Sequence, residues 1–261
     1  MHGNTTSGTI VLNLLERGPV LLELSRYLAE ADKGHGRLVF VGGEAGIGKT
    51  WLVRRFAELI RERTPMLIGS CDPLSTPRSL GPLLDVADRI EDSEIDLFSS
   101  KDRIFRDLLG ALSSPKKTTV LAFEDVHWAD EATLDLLRFL ARRIDDRRAL
   151  LIATFRSDEV GDHHPLRHVL GDTATALGVR RINVQPLSIA SVRTMAGGTG
   201  VDANELYRQT GGNPFFVSEI LATPNELIPP TVRDAVIARI ARMSDRARSV
   251  LETASVIGFR S

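Results

Sequence analysis

The chain has 261 residues, 43% of them hydrophobic, which is enough for one good core plus a smaller appended domain, so disorder is not expected. Its 33 basic and 34 acidic residues leave a formal charge of −1, which excludes a global attraction to nucleic acid or to an anionic membrane. The lone cysteine, Cys71, excludes an internal disulfide framework and reads as a small buried hydrophobe in a reducing cytosol.

In chain order, Met1 to Ile10 has no cationic segment followed by an apolar one, so no secretory leader is expected. No apolar stretch reaches the length of a membrane span, and a cytoplasmic protein without membrane attachment is the expectation. Pro19 to Ala31 has helical periodicity, with Leu21, Leu24, Leu28 and Ala31 on one side, and Gly34 to Gly36 breaks it. Leu38 to Val41 is an apolar run suited to a buried strand. It leads into Gly43, Glu44, Ala45, Gly46, Ile47, Gly48, Lys49 and Thr50, the pattern G-x-x-x-x-G-K-[ST]. In such a loop the glycines let backbone N–H groups curl around a polyphosphate, the lysine reaches the outer phosphates and the hydroxyl ligates Mg²⁺. Lys49 to Ile60 then carries helical periodicity, so strand, loop and helix occur in the order that puts phosphates at a helix N-terminus. Trp51, next to the loop threonine, reads as packing of that helix on a sheet, with base stacking as the alternative.

Pro65 to Cys71 reads as a second strand and Cys71 to Pro82, with three prolines, as a loop. Helices are expected at Leu83–Ile90, Lys101–Leu112 and Ala129–Ile144, and further strands at Val120–Phe123, Ala149–Phe155 and Arg181–Val184. This alternation predicts an α/β three-layer sandwich around a mostly parallel sheet. From Ser188 only helices are expected, at Ile189–Ala196, Ala203–Thr210, Pro214–Ala222, Thr231–Met243 and Asp245–Ile257, which sets a boundary near residue 186. Glu124 and Asp125 directly follow the third strand. In an open parallel sheet the strand carboxyl ends face the ligand crevice, so this pair belongs beside Lys49 and Thr50, where one carboxylate can hold Mg²⁺ and the other orient water. His163, His164 and His168 lack acidic and cysteine partners and read as solvated, and Arg142, Arg143, Arg147 and Arg148 as a wet surface at a helix end.

The phosphate loop, FEDVHWADEATLDLL and ATFRSDE, followed by TGGNPFF, together resemble the AAA-like nucleotide-binding domain of STAND signalling ATPases. The likeness is nearest to the large LuxR-type, MalT-like bacterial regulators and their adenylate-cyclase-associated relatives, and it covers essentially the whole chain. The resemblance implies a P-loop NTPase that acts as a nucleotide-controlled switch, resting with ADP and activated by exchange for ATP. It further implies Arg17 near the adenine, although Gly18 stands where the family has an acidic residue. Lys49 falls at the phosphate position and Thr50 and Glu124 at the Mg²⁺ position. Asp125 falls at the water-activating position, Arg156 is the arginine of a T-x-R phosphate sensor, with an ion pair to nearby Asp158 or Glu159 as the alternative reading, and Pro214 of the GxP motif packs on the base. Read without the family, Gly212 to Pro214 is a helix start with proline in its first turn. His127 and Trp128 read as a hydrogen-bonding and a packing residue.

The division implied is an N-terminal segment and helix at 1–35, an ATPase core at 36–186, a helical lid at 187–226 and the start of a winged-helix domain at 227–261. In the resembled family sensor and effector domains follow. The expectation is therefore either a piece of a longer polypeptide or a short member acting through a protein partner, with no nucleic-acid contact by this segment itself. Val236, Ile237, Ile240, Val250 and Ile257 are expected to lack part of their packing. A conventional ring-forming ATPase of origin-recognition or clamp-loader type, and a nonhydrolysing nucleotide-binding scaffold, are the alternatives. The Glu-then-Asp order of 124 and 125, with the shorter side chain as base, implies slow hydrolysis.

Overall fold

The computed structural model describes residues 15–90, 95–114, 117–223, 228–241, 243 and 245–257. The expectation for Met1 to Ile10 lies outside them. The chain divides into two compact units that meet in sequence between Gln185 and Pro186.

The first unit is built on five parallel strands, β1 (Arg37–Gly43), β2 (Met66–Ser70), β3 (Thr119–Glu124), β4 (Ala149–Arg156) and β5 (Val179–Asn183), in the order β2-β3-β4-β1-β5. The three central strands β1, β3 and β4 are apolar on both faces because both are covered, and alternate residues serve opposite cores. Val39, Val41, Val120, Ala122, Leu150 and Ile152 face one cluster with helices α1 (Gly18–Ala31) and α2 (Lys49–Ile60). Leu38, Phe40, Leu121, Phe123, Leu151 and Ala153 face the other, with α3 (Gly81–Leu84), α4 (Lys101–Ala111), α5 (Glu131–Ala141) and α6 (Pro165–Asp172).

The element types follow the sequence, with local corrections. The helix expected over Leu83–Ile90 is only the short α3 followed by a 3₁₀ turn at Ala87–Arg89. Leu83, Val86, Ala87 and Ile90 are all buried, so the apolar spacing is satisfied by packing without a continuous helix. Likewise α5 begins at Glu131 and ends at Ala141, shorter than expected at both ends; at its start the chain leaves a 3₁₀ turn at Val126–Trp128 and Asp130 takes the N-cap position. The α5 start is held by Asp130, whose carboxylate accepts from the N–H groups of Ala132 and Thr133 at 3.0 and 3.1 Å and from the Thr133 hydroxyl. The same carboxylate accepts from the N–H of Leu80 at 3.1 Å, where the chain takes a left-handed φ of 53° before α3.

The second unit contains helices α7 (Ile189–Ala196), α8 (Ala203–Thr210), α9 (Pro214–Ala222), α10 (Pro230–Ala241) and α11 (Asp245–Ile257). Val192, Met195, Leu206 and Val217 are buried in it, whereas α10 buries no residue. Val236, Ile237 and Val250 are 40%, 52% and 64% exposed. The side chain of Ile257 lies outside the described residues. Among the described residues no helix is long and apolar enough to cross a membrane.

Asp130 caps one helix and satisfies a strained turn on another, so its loss strands several N–H donors at once. Asp130→Ala is expected to lower the stability of the folded chain by about 2 kcal/mol, read from the urea midpoint at constant m value. A loss below about 0.5 kcal/mol would show that water replaces the cap without cost.

Candidate functional site

Parallel register assembles the site. Gly43 at the end of β1 lies opposite Arg156 at the end of β4, and Val41 lies opposite Thr154. On the far side of β4, Phe123 pairs with Ala153, which brings Glu124 and Asp125 to the same edge. Gly46 and Gly48 take φ of 77° and 98°, a region that a side chain strains, and Gly48 is the N-cap of α2. The buried Lys49 ammonium donates to the carbonyls of Gly43 and Glu44 at 2.8 and 2.9 Å, closing the loop on itself. Burial lowers Lys49 to about 8, against the opposing pull of Asp125.

Arg17 caps the start of α1, and its guanidinium donates to the carbonyl of Ile47 at 3.0 Å. It is buried, and desolvation pulls its pKa down. The residue thus braces the phosphate loop directly. Ala45 donates its N–H to Asp158 Oδ1 at 3.1 Å, so a carboxylate from the segment after β4 also contacts the loop. Trp51 is half-buried on α2 and is not among that helix's buried residues.

Glu124 is buried beside the Thr50 side chain; burial raises its pKa more than the nearby Thr50 hydroxyl lowers it. Its Oε1 is buried without a hydrogen-bond partner. A hydroxyl and an orphaned carboxylate oxygen at the first turn of a helix form a hard-oxygen donor set that fits Mg²⁺. With so few protein ligands, the remainder would come from phosphate and water.

Asp125 sits in the left-handed region at φ 56°, and its N–H donates to the Thr154 hydroxyl at 3.0 Å. Holding a non-glycine residue there costs roughly 1 kcal/mol, and the Thr154 contact helps to fix it. Burial raises the Asp125 carboxyl while Arg156 and Lys49 lower it. Its Oδ1 is 3.9 Å from Arg156 Nε and 3.8 Å from His127 Nδ1. The guanidinium of Arg156 stands 4.6 Å over the Trp128 ring and pairs with Glu159 at 2.7 Å. Asp158, which the sequence also offers as a partner for Arg156, contacts Ala45.

The His127 ring is buried and tilted against Trp128 at 4.4 Å. Its Nδ1 accepts from the Arg156 N–H at 3.4 Å, which assigns the ring proton to Nε2. Burial, then the charges of Arg156 and Lys49, drive its pKa down to about 3, so the ring is neutral. His163 and His168 are exposed as expected, but His164 caps α6 by accepting from the Leu166 N–H at 3.1 Å. Cys71 is buried, and desolvation pushes its thiol up to about 12, as suits a packing residue.

Lys49, Thr50, Glu124, Asp125 and Arg156 therefore come together with the loop, and Arg17 supports it from α1. Pro214 lies in the second unit, in the first turn of α9, where Asn213 caps the helix by accepting from the Phe215 N–H at 3.1 Å. Sequence reasoning offered Glu159 as a partner of Arg156 but missed the Arg17 brace and the contact of Glu159 with Trp128. The only available signal for Glu159 was an acidic pair two and three residues after Arg156.

The family described as AAA ATPase domain matches residues 13–152. An uncharacterized protein, R02095, of Rhizobium meliloti (strain 1021) is 26% identical over 84% of the chain; the chain spans about a quarter (26%) of that relative's length. Among solved structures, the chain is similar to the ORC2 protein of Aeropyrum pernix in ADPNP-ADP complexes, with TM-score 0.52, 16% identity, and coverage of 79% of this chain and 61% of that one. The ORC1 protein of the same organism, solved in complex with DNA, gives 0.51 and 14% over 93% and 72%. Cdc6p of Pyrobaculum aerophilum gives 0.50 and 16% over 84% and 57%. At these identities the likeness is one of fold, that of the α/β P-loop NTPases.

The neutral His127 sets an acid limit on stability. The unfolded chain protonates this ring near its ordinary value of 6.5 while the folded chain resists until about 3. Below pH 6.5 the unfolded state therefore binds the extra proton, and stability falls by up to about 1.4 kcal/mol per pH unit. His127→Gln is expected to flatten the stability profile between pH 6.5 and 4 relative to the parent, measured by denaturant titration at each pH. Parallel profiles would mean that the ring is charged in the folded chain.

Proposed function

Because the chain belongs to the AAA ATPase domain family, we propose that it is a regulatory module that binds ATP or ADP with Mg²⁺ and acts as a slow nucleotide-dependent signalling switch of the STAND kind. The observation that carries this reading is the Thr50–Glu124 pair with its orphaned Oε1, set one residue from the buried Lys49. Lys49 binds the outer phosphates, its ammonium exchanging the Gly43 and Glu44 carbonyls for phosphate oxygens. Thr50 and Glu124 would hold the cation, which would supply charge neutralisation at the phosphates. Asp125 orients the attacking water, and Arg156 reads the terminal phosphate with a guanidinium that stays charged. Arg17 holds the carbonyl of Ile47 and so keeps the loop open beneath the nucleotide. Residues 187–226, with Pro214, form the lid, and the region from 227 opens a winged-helix domain that connects to a sensor, an effector or a protein partner. The signalling role, transcription control and a cytoplasmic setting belong to the same proposal.

A short carboxylate in a strained turn, partly engaged by Arg156, favours slow hydrolysis over rapid turnover. The fold shared with origin-recognition proteins favours a second reading, a conventional ring-forming ATPase. Assembly of rings on addition of ATP, seen by sedimentation, would select it.

Purified chain is expected to release ADP on denaturation, identified by chromatography, and to turn over ATP far below the tens per second common among enzymes. An empty site with rapid turnover would overturn the switch. Asp125→Ala is expected to abolish the residual turnover; equal rates before and after would leave a nonhydrolysing scaffold.

The ammonium form of Lys49 is the one that attracts phosphate, and the side chain loses its proton near 8. Nucleotide affinity measured by calorimetry should therefore fall as pH rises above 8, with proton uptake on binding. Lys49→Ala should weaken binding by about 100-fold and remove that pH dependence. A flat profile from pH 7 to 10 would show that Lys49 does not contact the phosphates.

A further inference from the structure

Arg156 faces two carboxylates, and they hold it unequally. Asp125 Oδ1 is 3.9 Å from Arg156 Nε, beyond hydrogen-bond reach, whereas Glu159 Oε1 is 2.7 Å from Nη1. The second oxygen of Glu159 accepts from Trp128 Nε1 at 3.3 Å and lies 3.7 Å from His127 Nε2, the nitrogen that carries the ring proton. One carboxylate thus ties the end of β4 to the 3₁₀ turn after β3, and it fixes both the guanidinium and the ring over which that guanidinium stands. Arg156 and Glu159 side chains are 26% and 23% exposed, so their pairing is only partly screened by water.

We infer that Glu159 is a positioning residue for Arg156: it holds the guanidinium on Trp128 beside Asp125 and sets how readily Arg156 turns to a terminal phosphate. The inference rests on the reading of Arg156 as the residue that senses that phosphate. A guanidinium that must exchange a charged partner for the phosphate gains less from ATP than one with a neutral partner. ADP offers no terminal phosphate and does not compete for it. Glu159 therefore narrows the preference between the two nucleotides, and a switch that exchanges one for the other requires that the gap be small.

The test is calorimetric affinity for ADP and for a nonhydrolysable ATP analogue in the parent, Glu159→Gln, Arg156→Ala and the double variant. Glu159→Gln is expected to raise the preference for the analogue over ADP about tenfold, with ADP affinity changed by less than about twofold, because a charge-assisted hydrogen bond is replaced by a neutral one. In the Arg156→Ala background the substitution is expected to leave the preference unchanged. An equal shift for both nucleotides, or a shift that survives without Arg156, would reduce Glu159 to a purely structural role and overturn the inference alone. A preference that Arg156→Ala leaves untouched in the parent, or no nucleotide binding at all, would overturn the sensing reading and the inference together. Glu159→Asp, which keeps the charge but shortens the reach, is expected to shift the preference in the same direction by a smaller factor. It serves as the test should Glu159→Gln not fold.

Discussion

The parallel register of β1, β3 and β4 is the constraint on which the site depends. Gly43, Thr154, Arg156, Glu124 and Asp125 are far apart in sequence, yet pairing of these strands brings their carboxyl ends to one edge. A shift of β3 by one residue would send Glu124 and Asp125 to opposite faces from those they now occupy. The hydrophobic pattern prevents this: Leu121 and Phe123 belong to one core and Val120 and Ala122 to the other, so a slip would exchange both sets at once.

The edge so formed is polar and poorly hydrated, which makes each charge depend on its neighbours. Lys49 is offset by Asp125, Arg156 by Glu159, and Glu124 by the nearby Thr50 hydroxyl, which only partly compensates its burial. His127 resolves the crowding differently, by remaining neutral amid two cations. Taking such charges out of water is costly, and a polyphosphate with its cation is the kind of ligand that satisfies a buried ammonium, an orphaned carboxylate oxygen and loop N–H groups together.

Much of the fold was legible before any coordinates. The strands β1, β3 and β4 appear in the sequence as apolar runs because both of their faces are buried, and α2, α7, α8 and α9 have the boundaries that their caps and periodicity suggest. The failures share a cause. Leu83, Val86, Ala87 and Ile90 have helical spacing, but they are satisfied by tertiary packing of a broken segment, and periodicity cannot distinguish the two. The start of α5 was placed too early because the 3₁₀ turn at Val126–Trp128 is stabilised by contacts from β4 and its following segment rather than by local propensity.

For the candidate site, sequence alone offered the chemical parts: a glycine loop with Lys49 and Thr50, a carboxylate pair at Glu124 and Asp125, and an arginine at 156. These are local, since each motif is a short run whose residue types are dictated by the group it must hold. Only the tertiary structure decided which part touches which. It set Arg17 on the carbonyl of Ile47, Asp158 on the N–H of Ala45 and Glu159 between Arg156 and Trp128. Apart from the local Arg156–Glu159 pair, those contacts join residues on different elements, and their geometry follows from strand register and buried charge, neither of which is written in any single stretch of the chain.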